Sequence, residues 1–167
     1  LDGELVTSPR PSPRHARAAS TLGGELSGPF DRGIGGPGGW WILDEPELHL
    51  FGRAEPIVPD LAGWRVERMP ELPDTAYFAI APDWVCEVLS PSTAALDRAD
   101  KMPIYARASV RHAWLVDPLL RTLEVFRLES SGWVLAATYK NDARVRAEPC
   151  EAVELELLPL WDRQART

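Results

Sequence analysis

Cysteine is scarce in this 167-residue chain, with two in all, and long apolar runs are missing altogether. Two cysteines, Cys86 and Cys150, make no disulfide framework and lack the paired spacing of a zinc site. Buried thiols in a cytoplasmic protein are the expectation. No stretch approaches the roughly 18 apolar residues of a membrane helix, and no signal-peptide pattern is visible, so no membrane partner is expected. Basic residues are outnumbered, 18 Lys and Arg against 25 Asp and Glu, for a net charge of −7. That balance argues against a broad surface gripping phosphate backbones, which is ordinarily basic. There is no phosphate-loop lysine after the glycine-rich residues 28–39, no G-x-S-x-G elbow, and no histidine convincingly paired with Ser90 or Ser92. Internal repeats and low-complexity tracts are absent too. The first residue is Leu rather than Met, so preceding sequence is expected.

What is present suits one globular domain over residues 1–167. Its 45% hydrophobic and 26% charged content is ordinary, and its length can bury a real core. The informative stretch is Trp84-Val85-Cys86-Glu87-Val88-Leu89, a short buried strand bounded by Pro82-Asp83 and Ser90-Pro91. Alternation puts Glu87 on the face of Val85 and Leu89, with Trp84, Cys86 and Val88 opposite. A carboxylate there is costly unless a cation or donors meet it. Either it serves chemistry or a nearby arginine or backbone N–H satisfies it.

Two neighbours in sequence bear on that choice. Ile57-Val58-Pro59-Asp60 is an apolar run ending in a second acid. Asp97 to Tyr105 reads as a helix start, because Pro103 is tolerated only in a first turn; Asp97 or Asp100 would cap it. Lys101 then lies in that first turn. Asp60, Glu87 and Lys101 can therefore converge from a strand end, a strand and a helix start.

Elsewhere, Asp2–Val6 reads as a strand, and Ser12 caps a helix through His15, Ala18, Leu22 and Leu26, weakened at Gly23-Gly24 by about 1 kcal/mol per glycine. His15 could face the site, though a lone histidine is more often a cap or packed side chain. Trp40–Leu43 is strand-like. Glu47-Leu48-His49-Leu50 alternates, making Glu47 a third acid that either helps hold metal or sits on a solvated face. Gly63 marks a bend or bulge in the strand region 57–67. His112–Val116 is a strand, and Thr122–Leu128 with Trp133–Tyr139 a hairpin about Ser130-Ser131-Gly132. The tail, Ala152–Leu158, is placed on a sheet edge. This order gives an α/β or α+β class with a mixed sheet and two helices.

The string Val58-Pro59-Asp60-Leu61-Ala62-Gly63-Trp64, Ala81 to Thr93, Asp97-Arg98, Lys101, Tyr105 and Val110 to Pro118 resembles the Uma-two family. That family belongs to the PD-(D/E)XK restriction-endonuclease-like superfamily. The resemblance implies a restriction-endonuclease-like core: a central mixed β-sheet flanked by two helices, with an added C-terminal β-hairpin. It implies metal-dependent hydrolysis of nucleic acid, with DNA the expected substrate. Asp60, Glu87 and Lys101 would be catalytic, and Asp60 and Glu87, with Glu47, would hold Mg²⁺ or Mn²⁺. Hard carboxylate oxygens suit those ions, which lower the pKa of a bound water. In the superfamily pattern the lysine follows the second acid by two residues; here Leu89 stands there, and Lys101 would substitute from the helix. The alternative is a catalytically inactive nuclease-like module for binding or assembly, with Trp40, Trp41, Trp64 and Trp133 as exposed candidates for a homodimer interface.

Overall fold

The structure, a computed structural model, describes residues 10–52 and 55–163; the strand expected at Asp2–Val6 lies outside them. Helix α1 (Pro13–Leu26) opens with Ser12, whose hydroxyl accepts the His15 N–H at 3.2 Å, and with Pro13 in the first turn, where no donor is needed. Ala18, Leu22 and Leu26 recur at helical spacing and form its buried stripe. Gly23 does not break the helix. A Cβ there would sit 3.3 Å from Leu61 Cδ2, so the missing side chain lets the helix lie close on the sheet.

The sheet has six strands in sequential order: β1 (Trp40–Asp44), β2 (Leu61–Arg65), β3 (Trp84–Val88), β4 (His112–Asp117), β5 (Thr122–Glu129) and β6 (Gly132–Lys140). All neighbours are antiparallel except β3 and β4. That one parallel pair needs a crossover. It is supplied by α2 (Ala94–Leu96), a π-helical stretch (Asp97–Lys101) and α3 (Met102–Arg107). The helix thus begins at Ala94, several residues before the expected start, and neither Asp97 nor Asp100 caps it. Pro103 is accommodated differently. It cannot bond to a carbonyl four residues back, and the chain widens ahead of it, the Met102 N–H reaching the Asp97 carbonyl five residues away.

Each face of β3 belongs to a different half of the core. Trp84, Cys86 and Val88 pack under α1 with Leu22, Leu26, Trp114 and Val116. Val85 and Leu89 pack under α3 with Trp64, Met102 and Tyr105. The period-two assignment of this strand therefore holds, and Glu87 enters the second half. The hairpin β5–β6 turns at Ser130-Ser131 as expected, with one register shift at Val125/Phe126.

The structure departs from three further expectations of the sequence. Gly63 makes no bulge: it lies in regular register between Ile42 and Trp84, and the rings of Trp40 and Trp84 close over it. The tail does not line a sheet edge. Arg144–Val145 (β7) and Leu155–Glu156 (β8) form a separate two-stranded hairpin, and Leu155, Leu157 and Leu160 fill the core beneath α1. A short helix, α4 (Leu158–Trp161), follows and accepts the Arg17 guanidinium at the Pro159 carbonyl. The tryptophans are not an exposed set. Trp40 and Trp64 are buried, while the half-buried Trp41 and Trp133 donate to the carbonyls of Met69 and Met102.

Two outcomes follow from this packing. A Cβ at Gly63 would lie 3.1 Å from Trp40 Cε3 and 3.2 Å from both Ile42 Cδ1 and Trp84 Cε3. Crowding on three sides means Gly63→Ala should lower stability by about 1–3 kcal/mol in urea unfolding; an unchanged midpoint would refute this packing. Glu25, on α1, has its pKa pushed up to about 7 by burial, with Glu156 adding repulsion and Arg17 opposing it. A carboxyl raised in the folded state loses stability as pH climbs from its ordinary value near 4.5 through 7. Glu25→Gln should therefore melt a few degrees above wild type at pH 8, for a partly exposed group worth about 1 kcal/mol, and level with it at pH 4.5. Equal melting at both pH values would contradict the assignment.

Candidate active site

Strand β3 carries Glu87 to the centre of the molecule, where it is 2% exposed. Lys101 Nζ approaches both of its oxygens, at 3.1 and 3.3 Å, and the Tyr105 hydroxyl donates to Oε1 at 2.6 Å. Lys101 also donates to the Val58 carbonyl at 3.0 Å and lies 3.6 Å from Asp97 Oδ1. The π-helical stretch ends at Lys101, so the widened turn is what delivers this lysine and Asp97 to the strand. Asp97, Lys101 and Tyr105 are spaced by four and share one helix face.

Asp60 arrives from the strand next door. Leu61 pairs with Cys86, so one step along the antiparallel register sets Asp60 across from Glu87. Its Oδ2 accepts the Val88 N–H at 2.7 Å, and its Oδ1 lies 3.3 Å from Nε2 of His15 on α1. Asp60, Glu87 and Lys101 do come together, as the sequence led one to expect. Glu47 does not join them. Its carboxylate meets His49 at 3.1 Å and is half-buried, while Leu48 and Leu50 turn inward. Alternation had put Glu47 and His49 on one face, and that face is the solvated one.

The charges are unbalanced. Burial pushes Glu87 up to about 8, with Lys101 pulling it down and Asp97 and Asp60 pushing it further up. Burial likewise raises Asp97, against the pull of Lys101. Burial lowers Lys101, yet attraction to Glu87 and Asp97 outweighs it and leaves its pKa above the ordinary value. The hydrogen bond to Asp60 raises His15, outweighing its own burial. Three acids thus crowd one ammonium and one imidazole, and repulsion among them favours a further cation.

Access is from one side. A cleft of about 500 Å³ between α1 and the ends of β1 and β2 is lined by His15, Asp44, Glu45 and Asp60. A second, of about 430 Å³, lies toward Arg10, Ser90 and Thr93 and shares His15, Glu45 and Asp60. Asp60, His15 and Glu45 are common to both clefts, whereas Glu87 and Lys101 line neither. Among the described residues no group of three or more His, Cys, Asp and Glu converges as a metal cage. Asp60 and Glu87 carry hard carboxylate oxygens, the donor type of Mg²⁺, which is commonly held by one or two carboxylates and keeps its waters.

A family model described as "Uma2: Putative restriction endonuclease" matches residues 1–160. The chain belongs to the Uma2 family. The crystal structure of a "putative nuclease belonging to DUF820" from Anabaena variabilis ATCC 29413 superposes with a TM-score of 0.73, covering 96% of this chain and 87% of that one. At 21% identity, that likeness establishes the shared fold. Among curated proteins nothing matches. No helix among the described residues is long and apolar enough to cross a membrane.

For this Uma2 chain, sequence reasoning passed over two residues of the cluster and left a third undecided. Asp97 was read as a cap, although its i,i+4 spacing to Lys101 was a usable signal. Tyr105, one turn further on, has no sequence signal beyond its place in the helix start and in the family-like string. His15 was left open, because nothing in the sequence links α1 to Asp60.

Proposed function

We propose that this chain is a metal-dependent nuclease that hydrolyses phosphodiester bonds of DNA, using Mg²⁺ or Mn²⁺ held by Asp60 and Glu87. One observation carries the reading: a half-buried lysine bonded to a buried glutamate, with a second acid in register across the ladder and more carboxyl groups than bases around them. The description of the Uma2 family supports nucleic acid, and DNA in particular, as substrate.

The ion, when bound, would polarise the phosphate and acidify a water. The protein's own groups have distinct tasks. Asp60 offers hard oxygens at the clefts and Glu87 offers them from the buried strand beside it. Tyr105 and Lys101 hold Glu87 in one orientation, so little reorganisation is needed when a ligand arrives. Lys101, a compact cation among acids, would orient the attacking water and meet charge developing on the phosphate. Tyr105 does not act as a base: burial holds its pKa well above 10.

Calorimetric titration with Mn²⁺ tests the metal site without substrate. Wild type should bind one ion per site, and Asp60→Asn should weaken binding at least about 10-fold. Equal binding by both proteins would place the metal elsewhere.

A further inference from the structure

We propose that His15 is a positioning residue of this site, fixing the Asp60 carboxylate from the opposite side of the sheet. This rests on the nuclease reading. Glu87, Lys101, Asp97 and Tyr105 occupy one side of β3, whereas His15 is delivered by α1, which covers the other. Asp60 stands where the two meet, at the end of β2.

Three observations support the assignment. Both carboxylate oxygens of Asp60 are engaged, Oδ2 by the Val88 N–H at 2.7 Å and Oδ1 by His15 Nε2 at 3.3 Å. Two partners from two separate elements define the plane of the carboxylate, which neither could do alone. The Asp60 carbonyl is held as well, accepting the Glu45 N–H at 3.0 Å, so backbone and side chain are both fixed. Second, the half-buried imidazole also meets the backbone of Val88, the residue whose N–H holds Asp60 Oδ2, so His15 is lodged against the carboxylate and against the residue that holds its other oxygen. Third, His15 and Asp60 line both clefts, so the pair lies where a phosphate would enter. The Ser12 hydroxyl fixes the His15 backbone N–H, which sets the first turn of α1 and hence the ring's starting point.

A group that orients a metal-holding carboxylate changes metal affinity and turnover without touching the substrate. His15→Ala should weaken Mn²⁺ binding, measured by calorimetry without DNA, about 10- to 100-fold. It should lower kcat for plasmid cleavage with KM for DNA unchanged. His15→Gln, whose amide can donate to the same oxygen, should recover most of both losses. Wild-type Mn²⁺ affinity in His15→Ala would overturn the proposal while leaving the nuclease reading intact. If wild type itself binds no Mn²⁺, the nuclease reading falls, and a urea-unfolding cycle of His15→Gln and Asp60→Asn decides the positioning role. Non-additive effects support the pairing, and additive ones overturn it.

Discussion

Lys101→Met is expected to remove metal-dependent cleavage almost entirely, by about 100- to 1000-fold in kcat, and to destabilise the fold in a pH-dependent way. The two effects have one origin. Lys101 is the ammonium between Glu87 and Asp97, both nearly inaccessible to water. Breaking a buried ion pair from one side ordinarily costs about 3–5 kcal/mol, because the remaining charge has no partner. Glu87 has an escape: burial already raises its pKa to about 8, and losing Lys101 raises it further. Below that pH the acid can take up a proton and remain buried as a neutral group bonded to Tyr105. The sign follows. A carboxyl whose folded pKa is raised costs little below its ordinary value and progressively more as pH rises through the folded one. The gap in unfolding free energy between wild type and Lys101→Met should therefore widen from pH 5 to pH 9. A pH-independent gap would mean that Glu87 does not depend on Lys101. Lys101→Arg should rescue stability better than activity, since a planar fork can pair with Glu87 but does not place a point charge at the same position.

The second large effect lies in the core. Trp84→Ala should cost about 3–5 kcal/mol, a large share of the stability of an ordinary domain. Trp84 is fully buried, its ring meets Trp114 edge-on at 5.1 Å, and it packs across Gly63. Trp84→Phe should behave differently. The Trp84 indole N–H is buried without a partner, so the swap sacrifices volume but no hydrogen bond, and the loss should stay below about 1.5 kcal/mol. Trp114 offers the control. Its indole donates to the Glu148 carbonyl at 2.8 Å, so Trp114→Phe leaves that acceptor unpaired and should cost more than Trp84→Phe. Urea unfolding of the three variants checks the order. Equal costs for the two phenylalanine substitutions would contradict the hydrogen-bonding described for these rings.

Much of the site was legible because its chemistry breaks local rules. Glu87 stands out as an acid inside an apolar strand, and period-two alternation predicted its face. Lys101 stands out too, as one of only two lysines in the chain. Pro103 signalled an irregularity in the helix, but the remedy could not be read from it. A helix start and a π-helical widening both accommodate a proline, and the choice depends on Asp97 and Lys101 reaching Glu87 through space. His15 was beyond local reasoning for a similar reason. Its meaning depends on contact with Asp60, 45 positions away, across a sheet whose strand order the sequence does not state. Glu47 shows the converse: alternation found its face correctly, but whether that face meets solvent or a site is a tertiary fact. The tryptophans are a tertiary matter too: residue type alone does not say that Trp40 and Trp64 pack inside while Trp41 and Trp133 are half-buried with their indole N–H groups bonded.

The central claim is that Asp60, Glu87 and Lys101 form a working phosphodiester-cleaving site. Nicking of supercoiled plasmid with Mg²⁺ or Mn²⁺, comparing wild type with Glu87→Gln, tests it most directly. The account predicts metal-dependent nicking by wild type that Glu87→Gln loses while keeping its fold. Nicking by Glu87→Gln at the wild-type rate would contradict it, since chemistry would then arise away from the buried glutamate.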